Sequence, residues 1–464
     1  MKSGQQENRL GREPVGSLLV RLSIPSILSM LIQALYNIVD SIWVGKYSLD
    51  AFKGLSLAFP LQMILIALAV GTGIGANSLI SRSLGKGETE KASSAAEHVL
   101  ITALVYGGVI AFIGAFFSYD LIGMFTDKQE LVDYGARYIK VIFMGSTAMF
   151  IPMISNNILR GEGNTLIPMV TMFIGSFINI ALDPFLIFGW WIFPELGVEG
   201  AALATIISRV ISGTFILIIL FKGNHEIKLN FKNFKPDLSV IKGIYIVGLP
   251  AMAMQMLASV MIGGLNKILA PISEDAIASL GIYFKLQSFV FMPVFGLNQG
   301  YMPLIGYNYG HNRPERMKKG MKLGFISAFV ITTIGFVIFQ LFPEQLVLMF
   351  ADTEDLTAKE LERFLNIGKD TLKTISIAFP IIGPAIVGSS TFQALGKGLP
   401  SLILSFSRQI ILLLPLALIL SEIGGLDLIW YSFPIAEGVA AVAMVIWLSY
   451  TLKKVFSGYK TENT

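Results

Sequence analysis

Apolar residues occur in long runs along this chain, and short polar segments separate the runs. Twelve runs can be counted, and each is long enough for a helix to cross a bilayer, which takes about 20 residues. Their positions are 18–44, 55–80, 99–117, 141–159, 166–188, 200–221, 240–268, 277–307, 324–342, 374–395, 399–420 and 435–452. The pattern predicts an all-α membrane protein with twelve transmembrane helices.

The segment 25–127 recurs at a constant offset of 225 positions. Matched pairs are Pro25 and Pro250, Phe59 and Phe284, Gly71 and Gly296, Gly75 and Gly300, Gly85 and Gly310, and Asp127 and Asp352. Six spans per half is an even number, so both halves enter the membrane in the same orientation. We predict two parallel six-helix bundles, an N-terminal lobe at 1–221 and a C-terminal lobe at 243–464, joined by a cytoplasmic linker at 222–242.

Composition excludes a soluble protein, because 54% of the 464 residues are hydrophobic and only 14% are charged. Most lysines and arginines fall on the side of the N-terminus, which predicts a multi-pass protein of the cell membrane with both termini cytoplasmic. The net charge of +4 then reflects topology and gives no reason to expect nucleic acid. The polar start, residues 1–17, is expected to lead into a first span and not to be a cleaved signal peptide.

Few residues could support other chemistry. There is no cysteine, which excludes disulfides, thiolate metal sites and a cysteine nucleophile. His98, His225 and His311 have no metal-ligand spacing and are interpreted as surface residues. The glycines at 71–75 lack the strand and the acidic partner of a nucleotide loop, so their spacing favours close helix packing. We expect no enzyme activity, metal or cofactor.

Two acids, Asp40 and Asp183, fall inside apolar spans, and both belong to the first half. All other acids are placed on inside segments, in outside loops or at outer helix ends, and Glu437 belongs to the last group. An ionised carboxylate is costly there, so such a residue normally faces the bundle interior or a wet cavity, where it can exchange protons. Tyr36 and Asn179 lie four residues before the two acids on the same helical faces, and Asn37 is a further neighbour. The alternative is a structural role, as caps or as partners of the arginine in the sixth span.

Prolines also recur, since Pro25 and Pro250 each lie a few residues into a span. Proline removes a backbone donor and kinks a helix, so recurrence in register predicts a shared bend. The alternative is that each is a passive kink, which is common in membrane helices.

Several long motifs resemble those of the multidrug and toxic compound extrusion (MATE) transporters, most closely their DNA-damage-inducible F-like branch. They are the segment 22–45, the segment 71–87 ending in SRSLGKG, LRGEGNT at 159–165, GVEGAALAT at 197–205, GLNQGYMPLIGYNYG at 296–310 and FQALGKG at 392–398. The resemblance covers essentially all of residues 14–455.

The resemblance implies a twelve-helix exporter whose two lobes surround a cavity. Such proteins expel amphipathic, often cationic organic compounds in exchange for protons or sodium ions. The residues that match the family's ion-coupling positions and its helix bend are Asp40, Asp183, Tyr36, Asn179, Thr205 and Pro25. We expect a monomer whose partners are these compounds and membrane lipid.

The chain departs from sodium-coupled relatives, which carry an acid in helix 7. Here Gln255 stands in that neighbourhood, so proton coupling is expected, with sodium as the alternative ion. Residues expected to line the substrate cavity are Gln33, Gln255, Met256, Lys285, Met292 and Arg408. For the two cations of this group the alternative is pairing with neighbouring polar groups. Where the first half has Asp40 the second has Leu265, so the second lobe is expected mainly to shape the cavity.

Two other functions remain open. A flippase for lipid-linked saccharides on a related scaffold would need a more basic central cavity than three intramembrane cations provide. A membrane-embedded enzyme would need a nucleophile and base, or a metal cluster, within the spans.

Overall fold

The computed structural model describes residues 8–350 and 357–461, and all regular elements in these ranges are helices. Asp352 and the outermost residues of both predicted lobes lie outside the described residues. The helices of the first half are α1 Arg9–Arg12, α2 Val15–Tyr47, α3 Leu49–Gly85, α4 Thr89–Gly123, α5 Gln129–Met144, α6 Ser146–Gly161, α7 Leu166–Phe188 and α8 Val198–Lys222.

The second half follows a linker with a short 3-10 turn, Phe231–Asn233. Its helices are α9 Leu238–Leu269, α10 Glu274–Gly310, α11 Pro314–Leu341, α12 Pro343–Leu348, α13 Ala358–Ser376, α14 Phe379–Ala394, α15 Gly398–Phe406, α16 Leu414–Ile429 and α17 Ser432–Thr461. A π-helical stretch, Ser407–Leu413, joins α15 to α16. Helix α9 begins inside the predicted linker because Asp237 caps it, accepting a hydrogen bond from Ser239 N at 2.7 Å.

In the described part of the chain, ten continuous helical stretches are long and apolar enough to cross a bilayer. Two bent helix pairs, each counted as one span, bring the number of spans to twelve. The pairs are α5 with α6, bent by 54°, and α13 with α14, bent by 48°. Each pair is the fourth span of its half. The prediction of a twelve-helix membrane protein with an internal repeat is confirmed.

Large apolar side chains cover the outer surface of the helices. Phe116 is 68% exposed, Ile446 66% and Tyr450 70%. Contiguous apolar surface of this extent is unfavourable in water and is matched by lipid.

The repeat is visible in how corresponding helices begin. Ser48 caps α3 by accepting a hydrogen bond from Ala51 N at 3.3 Å, and Ser273 caps α10 by accepting one from Ala276 N at 3.3 Å. The two serines are related by the same offset as the prolines and glycines. The duplicated sequence therefore specifies duplicated local structure.

The end of the bundle at which α2 begins and α17 ends is called the terminal face. It also carries the loops at 86–88, 162–165, 311–313 and 395–397 and the linker. The two halves meet toward this face, where α2 packs on α10 and α3 packs on α9.

Repeated glycines form this seam between the halves. A Cβ atom on Gly85 would overlap the carbonyl oxygen of Tyr307, and one on Gly310 would overlap the carbonyl oxygen of Arg82. Tyr307 and Arg82 are themselves related by the repeat offset, so each contact is the image of the other. Gly75 approaches the backbone of Ile244 equally closely, which confirms that the 71–75 glycines serve helix packing.

The start of the chain bridges the seam at the terminal face. Leu10 is fully buried, and its carbonyl oxygen accepts hydrogen bonds from Asn308 Nδ2 and Arg316 Nη2, both at 3.0 Å. Arg9 donates to the carbonyl oxygen of Gly163 on the first half. This segment, residues 8–13, thus contacts both halves.

The linker is fixed to the first half by buried polar groups. The Glu162 carboxylate accepts hydrogen bonds from Ile227 N at 2.7 Å and from His225 Nδ1 at 3.0 Å. His98 Nε2 accepts one from Asp237 N at 2.9 Å, and His98 is only 3% exposed. The interpretation of these histidines as surface residues was wrong, because their ring nitrogens satisfy polar groups of the linker.

The contact between His225 and Glu162 predicts a pH-dependent linker. The hydrogen bond to Glu162 raises the pKa of His225, although burial opposes the effect. Both ring nitrogens face acceptors, since His225 Nε2 lies 3.1 Å from the carbonyl oxygen of Ile219, so the protonated ring can donate twice. Because the pKa of His225 is raised, the contact between the linker and the first half is fully stabilised below the pKa of a free histidine, about 6.5. This stabilisation is lost as the pH rises through the raised pKa of His225.

Glu162→Gln should therefore loosen the linker near pH 6. A hydrogen bond to a charged group contributes about 1.5–3 kcal/mol, so amide hydrogen exchange in residues 223–230 should become at least about tenfold faster. Glu90→Gln removes an exposed acid on the same face and is the matched control. Equal exchange in wild type and Glu162→Gln at pH 6 would contradict this assignment.

Candidate functional site

Asp40 and Asp183 lie where α2, α7 and α8 pack together, and Asp40 on α2 is half-buried. Asp183 on α7 is fully buried, and its Oδ1 accepts a hydrogen bond from Asn179 Nδ2 at 3.3 Å. The same amide lies 3.4 Å from Thr205 Oγ1 on α8. The four-residue spacing brings Asn179 to Asp183, and Thr205, expected from the family resemblance, joins them from the next helix.

Three acceptor oxygens in this site have no hydrogen-bond donor within the described residues. They are Asp40 Oδ1, Asp183 Oδ2 and Asn179 Oδ1. The two carboxylates are near enough for their charges to interact. Buried oxygens of this kind are costly unless a proton or a cation satisfies them. The arrangement can therefore hold a proton or a small cation between α2 and α7.

Tyr36 and Arg209 form a neighbouring pair, with the guanidinium 5.8 Å from the ring centre. Among the described contacts, Arg209 forms no ion pair with either acid. The acid–arginine pair that was the alternative role for Asp40 and Asp183 is therefore absent from these contacts. Asn37 is exposed and is not hydrogen-bonded to the acids in the described part of the protein. Pro25 lies inside the continuous helix α2, where Ser29 Oγ donates to its carbonyl oxygen at 2.9 Å.

The sequence reasoning missed two polar neighbours, Tyr138 on α5 and Gln62 on α3. Tyr138 is 7% exposed and lies close to Asp40, Tyr36 and Gln62. The apolar run at 141–159 begins after Tyr138, so this residue was left outside the predicted spans. The long polar side chain in the middle of the apolar stretch 57–71 was the signal that could have found Gln62.

The residues expected to line a substrate cavity are spread over both halves. Gln33, Gln255 and Met292 are half-buried, and Met256 is 47% exposed. The ammonium of Lys285 lies 5.7 Å from the centre of the Phe350 ring. Their role in substrate binding stays a prediction.

Arg408 pairs with Glu437 on α17 at 3.1 Å, and their side chains are 25% and 13% exposed. From the sequence, Glu437 was placed at an outer helix end, and the buried acids were expected only in the first half. That expectation was wrong, because the second half also contains a largely buried acid, neutralised by an arginine. Leu265, the counterpart of Asp40, is 1% exposed in the apolar core of the second half.

Comparisons with known proteins agree with this architecture. A family model described as MatE matches residues 25–185 and 245–419, one block in each half. The multidrug export protein MepA of Staphylococcus haemolyticus is 28% identical over 436 residues, which cover 94% of this chain and 93% of that protein. MepA of Staphylococcus aureus is also 28% identical, with 94% of each chain covered.

Solved structures match over almost the whole chain. A structure described as the outward-facing conformation of a multidrug resistance MATE family transporter of the MOP superfamily has a TM-score of 0.91 and 28% identity, covering 98% of this chain and 100% of that chain. A MOP superfamily transporter from Pyrococcus furiosus has a TM-score of 0.91 and 28% identity, covering 98% and 99%.

Proposed function

Since the chain belongs to the MatE family of multidrug and toxic compound extrusion transporters, we propose that it exports amphipathic, often cationic organic compounds across the cell membrane in exchange for protons. It works as a monomeric secondary antiporter, without a cofactor. Support comes from relatives named as multidrug export proteins. The observation that carries the proton coupling is the pair of Asp40 and Asp183, in which one buried oxygen of each carboxylate has no hydrogen-bond donor among the described residues.

The orientation of the protein is part of the proposal. The excess of lysine and arginine on the terminal face supports a cytoplasmic position for it. The glycine seam closes that face, so this arrangement of the halves is the outward-facing state of an alternating-access cycle. Both predicted lobes, 1–221 and 243–464, then rock about the seam.

Proton coupling follows from the charge of the acid pair. Two ionised carboxylates close together repel each other, and one proton relieves the repulsion. Protonation from outside neutralises the pair, lets α2 and α7 approach and favours release of the compound. One charge moved through 100 mV supplies about 2.3 kcal/mol, so a membrane potential can drive the cycle.

The flippase alternative has less support. It needs free cations in the central cavity, but Arg209, Lys285 and Arg408 each lie against another group, namely Tyr36, Phe350 and Glu437. Pyrophosphate binding by these three cations would require each to leave its partner.

Transport by the purified protein in liposomes tests the proposal. Proton and sodium gradients are imposed separately, and movement of the fluorescent cation ethidium is followed, with protein-free liposomes as control. We expect transport under the proton gradient alone and its loss when a protonophore is added. Transport under the sodium gradient alone would overturn the choice of ion. A fluorescent lipid-linked saccharide moved in place of ethidium would overturn drug export.

A further inference from the structure

A cavity of about 320 Å³ opens at the terminal face of the second half. It lies between the end of α10, the turn before α15 and the last turns of α17. The polar residues in its wall are Tyr309, Lys397, Lys454 and Tyr459. Its volume is at the lower end of the range of small-molecule sites. None of the acid-coupling residues contributes to it.

The cavity has excess positive charge. Among the described residues, neither Lys397 nor Lys454 forms an ion pair with an acid, and none of those that line the wall is acidic. The guanidinium of Arg82, from the first half, packs on Gly396, next to Lys397. Arg82 also has no acidic partner among the described contacts; its Nε donates to the carbonyl oxygen of Ser78 at 3.0 Å.

Helix α15 adds to the positive potential. It begins at Gly398, directly after Lys397, and no side chain caps it. The N-terminal end of a helix carries a partial positive charge, which favours an anion. Two ammonium groups, an adjacent guanidinium and this helix end together favour a ligand with more than one negative oxygen, which describes a phosphate group.

Lipid-facing apolar stripes lead to the mouth of the cavity. On α17, Ile446 and Tyr450 precede Lys454 at four-residue intervals, so the three share one face. On α15, Leu399 is 57% exposed and Ile403 42%. Because α15 and α17 are in contact, acyl chains can lie along these stripes while a headgroup reaches the lysines. A free phosphate ion has no apolar part that could contact this surface.

We propose that this cavity binds the phosphate of an anionic phospholipid from the leaflet at the terminal face, with Lys397 and Lys454 as its ligands. Basic pockets between helices on the cytoplasmic side of membrane proteins hold headgroups in this way.

The test is lipid binding to the purified full-length protein, which needs no transport assay. Phosphatidylglycerol, phosphatidylcholine or inorganic phosphate is added in detergent, and bound lipid and thermal unfolding are measured by native mass spectrometry and calorimetry. We expect phosphatidylglycerol to bind and raise the Tm, and phosphatidylcholine not to. Lys397→Gln with Lys454→Gln should weaken phosphatidylglycerol binding by about fivefold per lysine.

Two further double variants control for charge and folding. Lys319→Gln with Lys453→Gln removes the same charge from exposed lysines on the same face and should bind like wild type. Lys397→Arg with Lys454→Arg keeps the charge and should retain binding even where the glutamine pair folds poorly. Equal binding by the wild type and the Lys397→Gln Lys454→Gln protein would overturn the proposal. Inorganic phosphate that displaces the lipid and raises the Tm equally at the same concentration would overturn the lipid as ligand.

Discussion

Replacing Asp183 with asparagine should abolish proton-driven export while the protein remains folded. Asparagine has the shape of aspartate and can still accept the hydrogen bond from Asn179 Nδ2, but it cannot exchange a proton. Loss of a proton-transfer group typically costs about 100-fold or more, so ethidium transport should fall below about 1% of the wild-type rate. Asp40→Asn should act in the same direction. The double variant should transport ethidium no more slowly than the less active of the two single variants, because the pair works as a unit.

The readout that separates coupling from general damage is the pH profile. Wild-type transport should depend on pH, whereas residual transport by Asp183→Asn should not. Asp120→Asn makes the same change at an exposed acid near the end of α4 and should leave rate and profile unchanged. If both Asp40→Asn and Asp183→Asn export at the wild-type rate with the wild-type pH profile, proton coupling through this pair is wrong.

The second large effect is expected from Gly85→Ala combined with Gly310→Ala. The added methyl groups would overlap the carbonyl oxygens of Tyr307 and Arg82, so the halves must separate at the terminal face. Overpacking of this kind costs about 1–3 kcal/mol per site, and it falls only on the closed state. Because 1.4 kcal/mol is a factor of ten, the open population should rise at least about tenfold, and export should slow.

The lack of native cysteine makes the opening measurable. Ser78 is fully buried at the seam, where its Oγ donates to the carbonyl oxygen of Gln393 at 2.5 Å. A Ser78→Cys protein should react with a membrane-impermeant maleimide at least about tenfold faster in the double-alanine background. Gly108→Ala and Gly281→Ala place methyl groups in open space on helices of the two halves and control for the higher helix propensity of alanine. Unchanged labelling in the double-alanine protein would show that the seam does not close the terminal face.

The number of spans could be predicted because run length and hydropathy are local properties. The bends could not, since α5 and α13 are amphipathic helices that bury a mainly apolar face and leave most of their charged residues exposed. For α13, Ala358–Ser376, hydropathy gives no apolar run before residue 374, although the helix completes the span that α14 continues. A window that averages composition cannot distinguish such a helix from a loop.

The same limit applies to the candidate site. Asn179 and Asp183 lie on one helix, so their spacing predicted their contact. Tyr138 lies near Asp40 but belongs to another helix, as does its neighbour Gln62, and the pairing of Arg408 with Glu437 depends on which helices are neighbours. The histidines show the same limit, because their spacing carried no information on the linker groups that His98 and His225 bind.

The reciprocity of the glycine seam has a further consequence. Contacts in which each half presents the same surface to the other have the form of a two-fold symmetric dimer interface. Two copies of a six-helix chain with these glycines could assemble by the same contacts, without a linker. Identical copies must carry the same residue at each position, whereas two halves of one chain can differ. One position can therefore hold an acid in the first half, Asp40, and a core leucine in the second, Leu265. The asymmetry of the acids is thus a freedom that the covalent fusion of two equivalent subunits provides.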